Sequence, residues 1–289
     1  MDNVSATIVA VALMCIMFGM GLSLTVADFN RIVKEPRAVL IGLTNQLLVL
    51  PLIGYALVSM LDLTPAVAIG IMILVACPGG ATSNLISHLA KGDTALSVTL
   101  TALASVVTII SIPLIVQFAL GEFQGGERQV KLDVLQTIGQ LLMIVVMPVA
   151  IGMLIRAKAT AFALKMDRPV RIASGVLLAL ITLGLILKER SNIVPYLQQA
   201  GLPTVLLCLS TMALGFFSAR LFKLRVRQAI SISIESGIQN SALAMTIATV
   251  TLQDTSLGIA AAIYTLIMYA AGFGAILYGR SVAGREGVG

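Results

Sequence analysis

The sequence is poor in the side chains on which soluble folds and most enzymes depend. Among 289 residues there is no tryptophan and one histidine, and only 11% of the residues are charged, whereas soluble domains carry about 25% charged residues. The three cysteines, Cys15, Cys77 and Cys208, lie in apolar runs without the spacing of a metal site, so we interpret them as small buried side chains. One histidine and one deep carboxylate do not supply a nucleophile with its base, so we expect no enzyme and no catalytic residue.

Long apolar runs are what the sequence has instead. Apolar residues make up 58% of the chain and the mean hydropathy is +1.02. A membrane-spanning helix needs about 20 mostly apolar residues in succession. The sequence therefore predicts an all-α polytopic membrane protein, a single transmembrane domain over residues 1–289. We expect nine spans, at about 4–27, 37–60, 66–90, 94–120, 133–155, 171–187, 201–222, 228–251 and 256–279.

The basic residues orient these spans. Of the 19 lysines and arginines, 15 lie around the loops after spans 1, 3, 5 and 7 or in the C-terminal tail. Cytoplasmic loops collect Lys and Arg, so the N-terminus is predicted outside and the C-terminus in the cytoplasm. The basic residues form no patch with aromatic side chains, which argues against a nucleic-acid partner. The compact chain suggests a bacterial inner membrane.

Spans 3 and 8 each contain a predicted break. Residues 77–84 read CPGGATSN and residues 235–241 read ESGIQNS, each inside an apolar run. Proline removes a backbone donor and glycine frees the backbone, so both helices should open there. The two spans cross in opposite directions and occupy corresponding places in the two halves. The pattern predicts inverted repeats with two discontinuous helices that cross at mid-membrane, the typical site of a secondary transporter.

Glu235 is the only carboxylate predicted deep in the membrane, where a charge costs at least about 2.5 to 3.5 kcal/mol. It could be protonated and link helices, or it could bind a cation. The polar neighbours Gln239 and Asn240, together with Gln46 in span 2, favour an ion site.

Span 4 places four hydroxyls on one helix face. Ser97, Thr101, Ser105 and Thr108 are spaced at i, i+4, i+8 and i+11. Such hydroxyls often bond the carbonyls of their own helix, which is the alternative reading. Hydroxyl, amide, carbonyl and carboxylate oxygens are hard ligands that suit an alkali cation, so sodium is the predicted ion.

The two broken segments resemble the two signatures of the bile acid:sodium symporter (BASS) family. Gln46, five residues before Pro51, and Ser97 and Thr101 in the helix after the first signature also match that family, so the resemblance covers nearly the whole chain.

The resemblance implies two sodium ions and one substrate pocket. The first sodium would be held by Ser83, Asn84, Ser97, Thr101 and Glu235. The second would be held by Gln46, Glu235, Gln239 and the carbonyls of Ser236 and Ile238. The substrate would meet Ala81, Thr82, Asn240 and Tyr269.

The resemblance also implies two moving parts. A core domain, at about 37–120 and 201–279, would move against a panel domain, at about 4–27, 133–155 and 171–187. Three departures concern the fold and the substrate pocket. We expect no counterpart of the extra first helix of ten-helix members, Ala81 stands where some members carry threonine, and Met268-Tyr269 replaces a polar pair. A smaller carboxylate is therefore as plausible a substrate as a bile acid.

Two functions compete on this reading. The first is sodium-coupled import of an organic anion by alternating access; its partners are the anion, sodium ions and the lipid bilayer, with no obligate protein partner evident. The second is an efflux carrier of related fold for a metalloid or an organic anion, with Cys77 as a thiol ligand and Glu235 carrying protons. A passive channel needs a continuous polar path, and the polar residues are clustered instead.

Overall fold

Helices make up all the regular structure of the described residues. The computed structural model describes residues 3–29, 31–124, 130 and 132–285. We number the main helices α1 (Asn3–Ser23), α2 (Pro36–Met60), α3 (Pro65–Ala76), α4 (Ala81–Leu89), α5 (Thr94–Phe123), α6 (Val134–Lys158), α7 (Thr160–Lys188), α8 (Ile193–Leu221), α9 (Val226–Gly237), α10 (Ser241–Thr251) and α11 (Ile259–Arg285).

Seven helices in the described part of the chain are long and apolar enough to cross a membrane, namely α1, α2, α5, α6, α7, α8 and α11. A hydrocarbon core about 30 Å thick needs about 20 residues of helix, and these helices meet that length. The prediction of an all-α polytopic membrane protein is therefore confirmed. Helices α3 and α10 are apolar but shorter.

Both predicted breaks are present. Helix α3 ends at Ala76 and α4 begins at Ala81, so the chain leaves helical geometry at Pro78 and its two glycines. Helix α9 ends at Gly237 and α10 begins at Ser241. The chain between each pair is extended, with φ −76° and ψ 149° at Cys77 and φ −110° and ψ 96° at Ile238.

Several helix ends differ from the predicted spans. Helix α7 begins at Thr160 and α8 at Ile193, earlier than the predicted 171 and 201. Hydropathy marks where a chain turns polar, but backbone hydrogen bonds continue through polar residues outside the lipid. Helix α1 ends at Ser23, before the predicted 27. There the carboxylate of Asp28 accepts hydrogen bonds from the backbone N–H and hydroxyl of Thr25 and starts a separate turn.

Helices α2 and α6 each contain a π-helical turn just before a proline. The turns cover Asn45–Val49 and Leu142–Val146, and the prolines are Pro51 and Pro148. A proline ring clashes with the carbonyl four residues earlier, and a widened turn relieves that clash. In α2 the widened turn carries Gln46.

Helix α1 packs against α6 and α7, and α9 packs against α8. The α1–α6 contact is close because glycines face each other. A Cβ added at Gly152 would overlap the backbone of Phe18, Gly21 and Leu22, and one at Gly21 would overlap the backbone of Val149. Small residues allow this backbone approach between helices in lipid.

We predict that Gly152→Ala destabilises the protein by about 1–3 kcal/mol, because the added methyl group forces two backbones apart. The matched control is Gly139→Ala in the same helix, where an added Cβ meets no atom within 4 Å. Thermal unfolding in detergent measures both variants. Equal melting temperatures for the two variants would contradict the close contact.

Candidate functional site

The two helix breaks lie against each other. Gly79 and Gln239 form an isolated antiparallel bridge, and the backbone N–H of Asn240 donates to the carbonyl of Pro78 at 2.9 Å. Each break thus satisfies part of the backbone that the other leaves without a helical partner. The C-terminal ends of α3 and α9 and the N-terminal ends of α4 and α10 meet at this point, which we call the crossing point.

A buried carboxylate lies at the crossing point beside two hydroxyls. Glu235 is only 1% exposed. Its Oε1 accepts a hydrogen bond from Thr101 Oγ1 at 2.5 Å, and its Oε2 accepts one from Ser97 Oγ at 3.1 Å. The same two hydroxyls lie 3.2 Å and 2.8 Å from Oδ1 of Asn84.

Oxygen acceptors outnumber hydrogen donors in this group, which we call the Glu235 cluster. The hydroxyls of Ser97 and Thr101 carry one hydrogen each. They face both carboxylate oxygens of Glu235, Oδ1 of Asn84 and the carbonyl of Ser97. Within the described ranges no lysine or arginine forms an ion pair with Glu235. A cation therefore fits the cluster both by charge and by the surplus of acceptors.

Gly79 brings the first break into contact with the Glu235 cluster. A Cβ added at Gly79 would overlap the Glu235 carboxylate and lie 3.1 Å from Ser83 Oγ. Ser83 donates to the carbonyl of Gly80 at 2.7 Å, so its hydroxyl is turned toward the break. The structure thus brings together all five residues predicted for the first sodium.

Of the residues predicted for the second sodium, Gln46, Gln239 and Ser236 come together, and Ile238 lies in the second break beside them. Gln46 Nε2 donates to the carbonyl of Cys77 at 3.0 Å and to Gln239 Oε1 at 2.8 Å. Gln239 Nε2 donates to the carbonyls of Ser236 at 2.9 Å and Glu235 at 3.3 Å. Unlike the Glu235 cluster, this amide group has a donor for each of these acceptors.

The hydroxyls of span 4 divide into two pairs. Ser97 and Thr101 reach Glu235, whereas Ser105 donates to the carbonyl of Thr101 and Thr108 to that of Ser105. The alternative reading, in which a hydroxyl bonds its own helix, therefore applies to Ser105 and Thr108.

All four residues predicted for the substrate line one cavity. This crossing-point cavity has a volume of about 100 Å³ and lies between α1, α4, α7, α10 and α11. The predicted residues in its wall are Ala81, Thr82, Asn240 and Tyr269. It adjoins a larger cavity of about 320 Å³, since Ala81, Leu85 and Ser174 line both.

Tyr264 stabilises the second break, and sequence reasoning missed it. Its side chain is fully buried, and its hydroxyl donates to the carbonyl of Gly237 at 2.7 Å. A tyrosine within an apolar helix carries no signal of this role, because the carbonyl it meets lies 27 residues earlier in the sequence.

The cysteines differ from the expectation at one position. Cys77 and Cys208 are buried as expected, but Cys15 is exposed, so the prediction was wrong there. The Cys77 thiol donates to the carbonyl of Ile73 in its own helix at 3.3 Å. Within the described ranges no group of three or more His, Cys, Asp or Glu side chains could hold a metal ion.

Comparison with known proteins gives the family of this chain. The profile of the Sodium Bile acid symporter family matches residues 10–196. The chain belongs to this family. Its members and the relatives below are transporters and not enzymes. The expected family and the expectation that the protein is not an enzyme are therefore both confirmed.

Three relatives show how far the similarity extends. The uncharacterized sodium-dependent transporter YocS of Bacillus subtilis (strain 168) is 31% identical over 239 residues, which cover 81% of this chain and 71% of that protein. The human ileal sodium/bile acid cotransporter is 28% identical over 97% of this chain and 80% of its own length. The probable sodium/metabolite cotransporter BASS1, chloroplastic, of Arabidopsis thaliana is 29% identical over 83% of this chain. The match spans 58% of that relative.

We predict that Gly79→Ala displaces the Glu235 carboxylate and lowers stability by about 1–3 kcal/mol, because the methyl group has no space. Gly80→Ala is the matched control, since its Cβ would lie at ordinary contact distances of 3.7 Å from Asn240. Thermal unfolding of the two variants in sodium-free buffer makes the comparison. A Gly79→Ala variant as stable as Gly80→Ala would contradict the contact between the break and Glu235.

Proposed function

We propose that the protein is a sodium-coupled secondary transporter that imports a small organic anion by alternating access. The observation that carries the proposal is the Glu235 cluster, in which a buried carboxylate meets more oxygen acceptors than donors and has no basic partner in the described part. Isolated buried charge is costly unless it is paired. A sodium ion supplies the opposite charge, and the acceptor oxygens that no hydrogen donor reaches coordinate it.

The first sodium binds in the Glu235 cluster. Its ligands are Glu235, Asn84, Ser97 and Thr101, with the hydroxyl of Ser83 on the other side of Gly79. Five hard oxygen atoms within one buried group match what an alkali cation prefers.

The second sodium binds at the amide group of Gln46 and Gln239, with the carbonyls of Ser236 and Ile238 and the Glu235 carboxylate. This step requires the amides to turn their Oε1 atoms inward, which rotation about the last side-chain torsion allows. Both sodium positions adjoin Glu235, so the occupancy of one site affects the other.

The substrate anion binds in the crossing-point cavity. Its wall includes Ala81 and Thr82 at the N-terminal end of α4 and Asn240 just before α10. Helix N-termini attract negative charge, while the C-terminal ends of α3 and α9 face the sodium positions. The cavity, with a volume of about 100 Å³, suits the carboxylate head of an organic anion.

Alternating access follows from two groups of helices. The packing of α1 on α6 and α7 supports a panel domain that moves against a core of the remaining helices. With the two broken pairs counted as spans, the chain crosses the membrane nine times as two inverted repeats. The N-terminus is outside and the C-terminus is in the cytoplasm of a bacterial inner membrane.

Metalloid efflux receives less support. The Cys77 thiol is buried and hydrogen-bonded within α3, with no second thiol or histidine grouped around it in the described residues. A thiol in apolar surroundings is a packing group more often than a ligand.

We predict that sodium raises the melting temperature of the purified protein and that potassium does not. At a concentration 100 times the Kd, binding stabilises by about 2.7 kcal/mol. Glu235→Gln should lose this gain because it removes the charge at both positions. Glu122→Gln, which changes an exposed carboxylate at the end of α5, is the control and should keep it. An unchanged sodium response in Glu235→Gln would overturn the proposal.

We predict that Gln46→Ala removes the second sodium only. The Hill coefficient of the sodium titration should then fall from about two to about one, since one of two coupled sites is lost. Asn45→Ala is the matched control from the same π-helical turn, because the Asn45 side chain donates to Ser218 instead. A Hill coefficient unchanged by Gln46→Ala would rule out the second site.

A further inference from the structure

The second break deprives one backbone carbonyl of its helical donor. In a continuous helix the carbonyl of Gly237 would accept from the N–H of Ser241, four residues later. That N–H donates instead to the carbonyl of Gln239 at 2.9 Å, because α9 ends at Gly237. Gly237 is buried, and a buried carbonyl without a donor is destabilising. The carbonyl therefore needs a donor from another part of the chain.

Tyr264 supplies this donor from α11. Its side chain is fully buried, and its hydroxyl donates to the Gly237 carbonyl at 2.7 Å. The thiol of Cys208 in α8 lies 3.6 Å from the same oxygen, which is a weaker contact because a thiol is a poor donor. A Cβ added at Gly237 would overlap the side chain of Met212, so the break packs closely against α8. The Gly237 carbonyl thus faces α8 and α11.

The preceding carbonyl meets a different group of side chains. The carbonyl of Ser236 accepts from Gln239 Nε2 at 2.9 Å, and Gln239 Oε1 accepts from Gln46 of α2 at 2.8 Å. This is the amide group at which the second sodium is proposed to bind. Of the three successive carbonyls at 236–238, only that of Gly237 is not among the proposed sodium ligands. Tyr264 therefore binds the one carbonyl that the ion does not use.

The peptide group between Gly237 and Ile238 is fixed at both of its polar atoms. Its oxygen accepts from Tyr264, and its N–H donates to the carbonyl of Ile234 at 2.8 Å. Because a peptide group is planar, these two hydrogen bonds fix the orientation of the whole group. The backbone becomes extended directly after it, with φ −110° and ψ 96° at Ile238. The orientation of this group therefore sets the direction in which the carbonyls on either side of it point.

We propose that Tyr264 is a positioning residue for the second sodium. By holding the Gly237 carbonyl toward α8 and α11, it leaves the carbonyls of Ser236 and Ile238 to bind the ion. The inference rests on the proposed function, because it concerns the second of the two proposed sodium ions. Without the hydroxyl, the Gly237 carbonyl keeps only the weak contact with Cys208, and its peptide group turns toward another donor or toward the ion. The first sodium position, whose other ligands lie on α4 and α5, keeps its geometry.

The first experiment measures binding of ²²Na⁺ to full-length Tyr264→Phe protein, which loses the hydroxyl and keeps the ring. We expect the Kd of the second ion to rise about tenfold, equivalent to about 1.4 kcal/mol and to the loss of one hydrogen bond. The Kd of the first ion should not change. Thr265→Val is the matched control, because this buried hydroxyl of the next residue bonds the carbonyl of Ala261 in its own helix. It should leave both Kd values unchanged.

A double variant separates positioning from a general loss of structure. Gln46→Ala is expected to remove the second ion only, so in that background Tyr264→Phe should have no further effect on the ion that remains. Two changes that act on the same site are not additive, whereas independent changes are. Further weakening of the remaining ion by Tyr264→Phe would show that the tyrosine acts on the whole core, and would overturn the inference.

Hydrogen exchange in sodium-free buffer tests the same contact without the ion. We expect the backbone amides of residues 237–241 to exchange faster in Tyr264→Phe than in the wild type and in Thr265→Val, because the peptide group after Gly237 is released. Unchanged exchange, or an unchanged Kd in a protein whose wild type binds two ions, would overturn the role of Tyr264 and leave the proposed function intact. Absence of a second ion in the wild type would instead overturn the second sodium site itself, and this role with it.

Discussion

A carboxylate removed from water, with no basic partner among the described residues, is the constraint on which the rest of this structure depends. Glu235 is almost fully buried, and the groups around it are hydroxyls, an amide oxygen and carbonyls, each of which can face a cation. The low dielectric of the interior makes an unpaired charge expensive and makes a matched ion bind strongly. The carboxylate supplies the negative charge for a bound cation, and the helix breaks supply additional oxygen ligands.

The two breaks also separate charges by sign. Helices α3 and α9 end at the crossing point, so their C-terminal carbonyls surround the positions proposed for sodium. Helices α4 and α10 begin there, so their N-terminal ends line the cavity proposed for the anion. Asn84 belongs to the Glu235 cluster, because its Oδ1 meets Ser97 and Thr101, and it also lines the larger cavity that adjoins the crossing-point cavity. A cation that fixes Asn84 would therefore also fix part of the wall of that larger cavity, which is a physical basis for coupling.

The sequence predicted the features that depend on local chemistry. The breaks were predicted from Pro78, the two glycines that follow it, and Gly237. Glu235 was recognisable as a polar residue in an apolar run. The spacing of Ser97 and Thr101 placed both on one helix face. Features that depend on contacts between distant segments were not predictable. The π-helical turn that carries Gln46, the hydrogen bond from Tyr264 to Gly237 and the acceptor surplus around Glu235 appear only when the helices are packed.

Equilibrium binding of ²²Na⁺ to the purified protein tests whether the Glu235 cluster and the neighbouring amide group hold sodium. We expect saturable binding of about two ions per chain, which excess unlabelled sodium displaces and potassium displaces poorly. Absence of saturable binding, or displacement by potassium as effective as that by sodium, would contradict it.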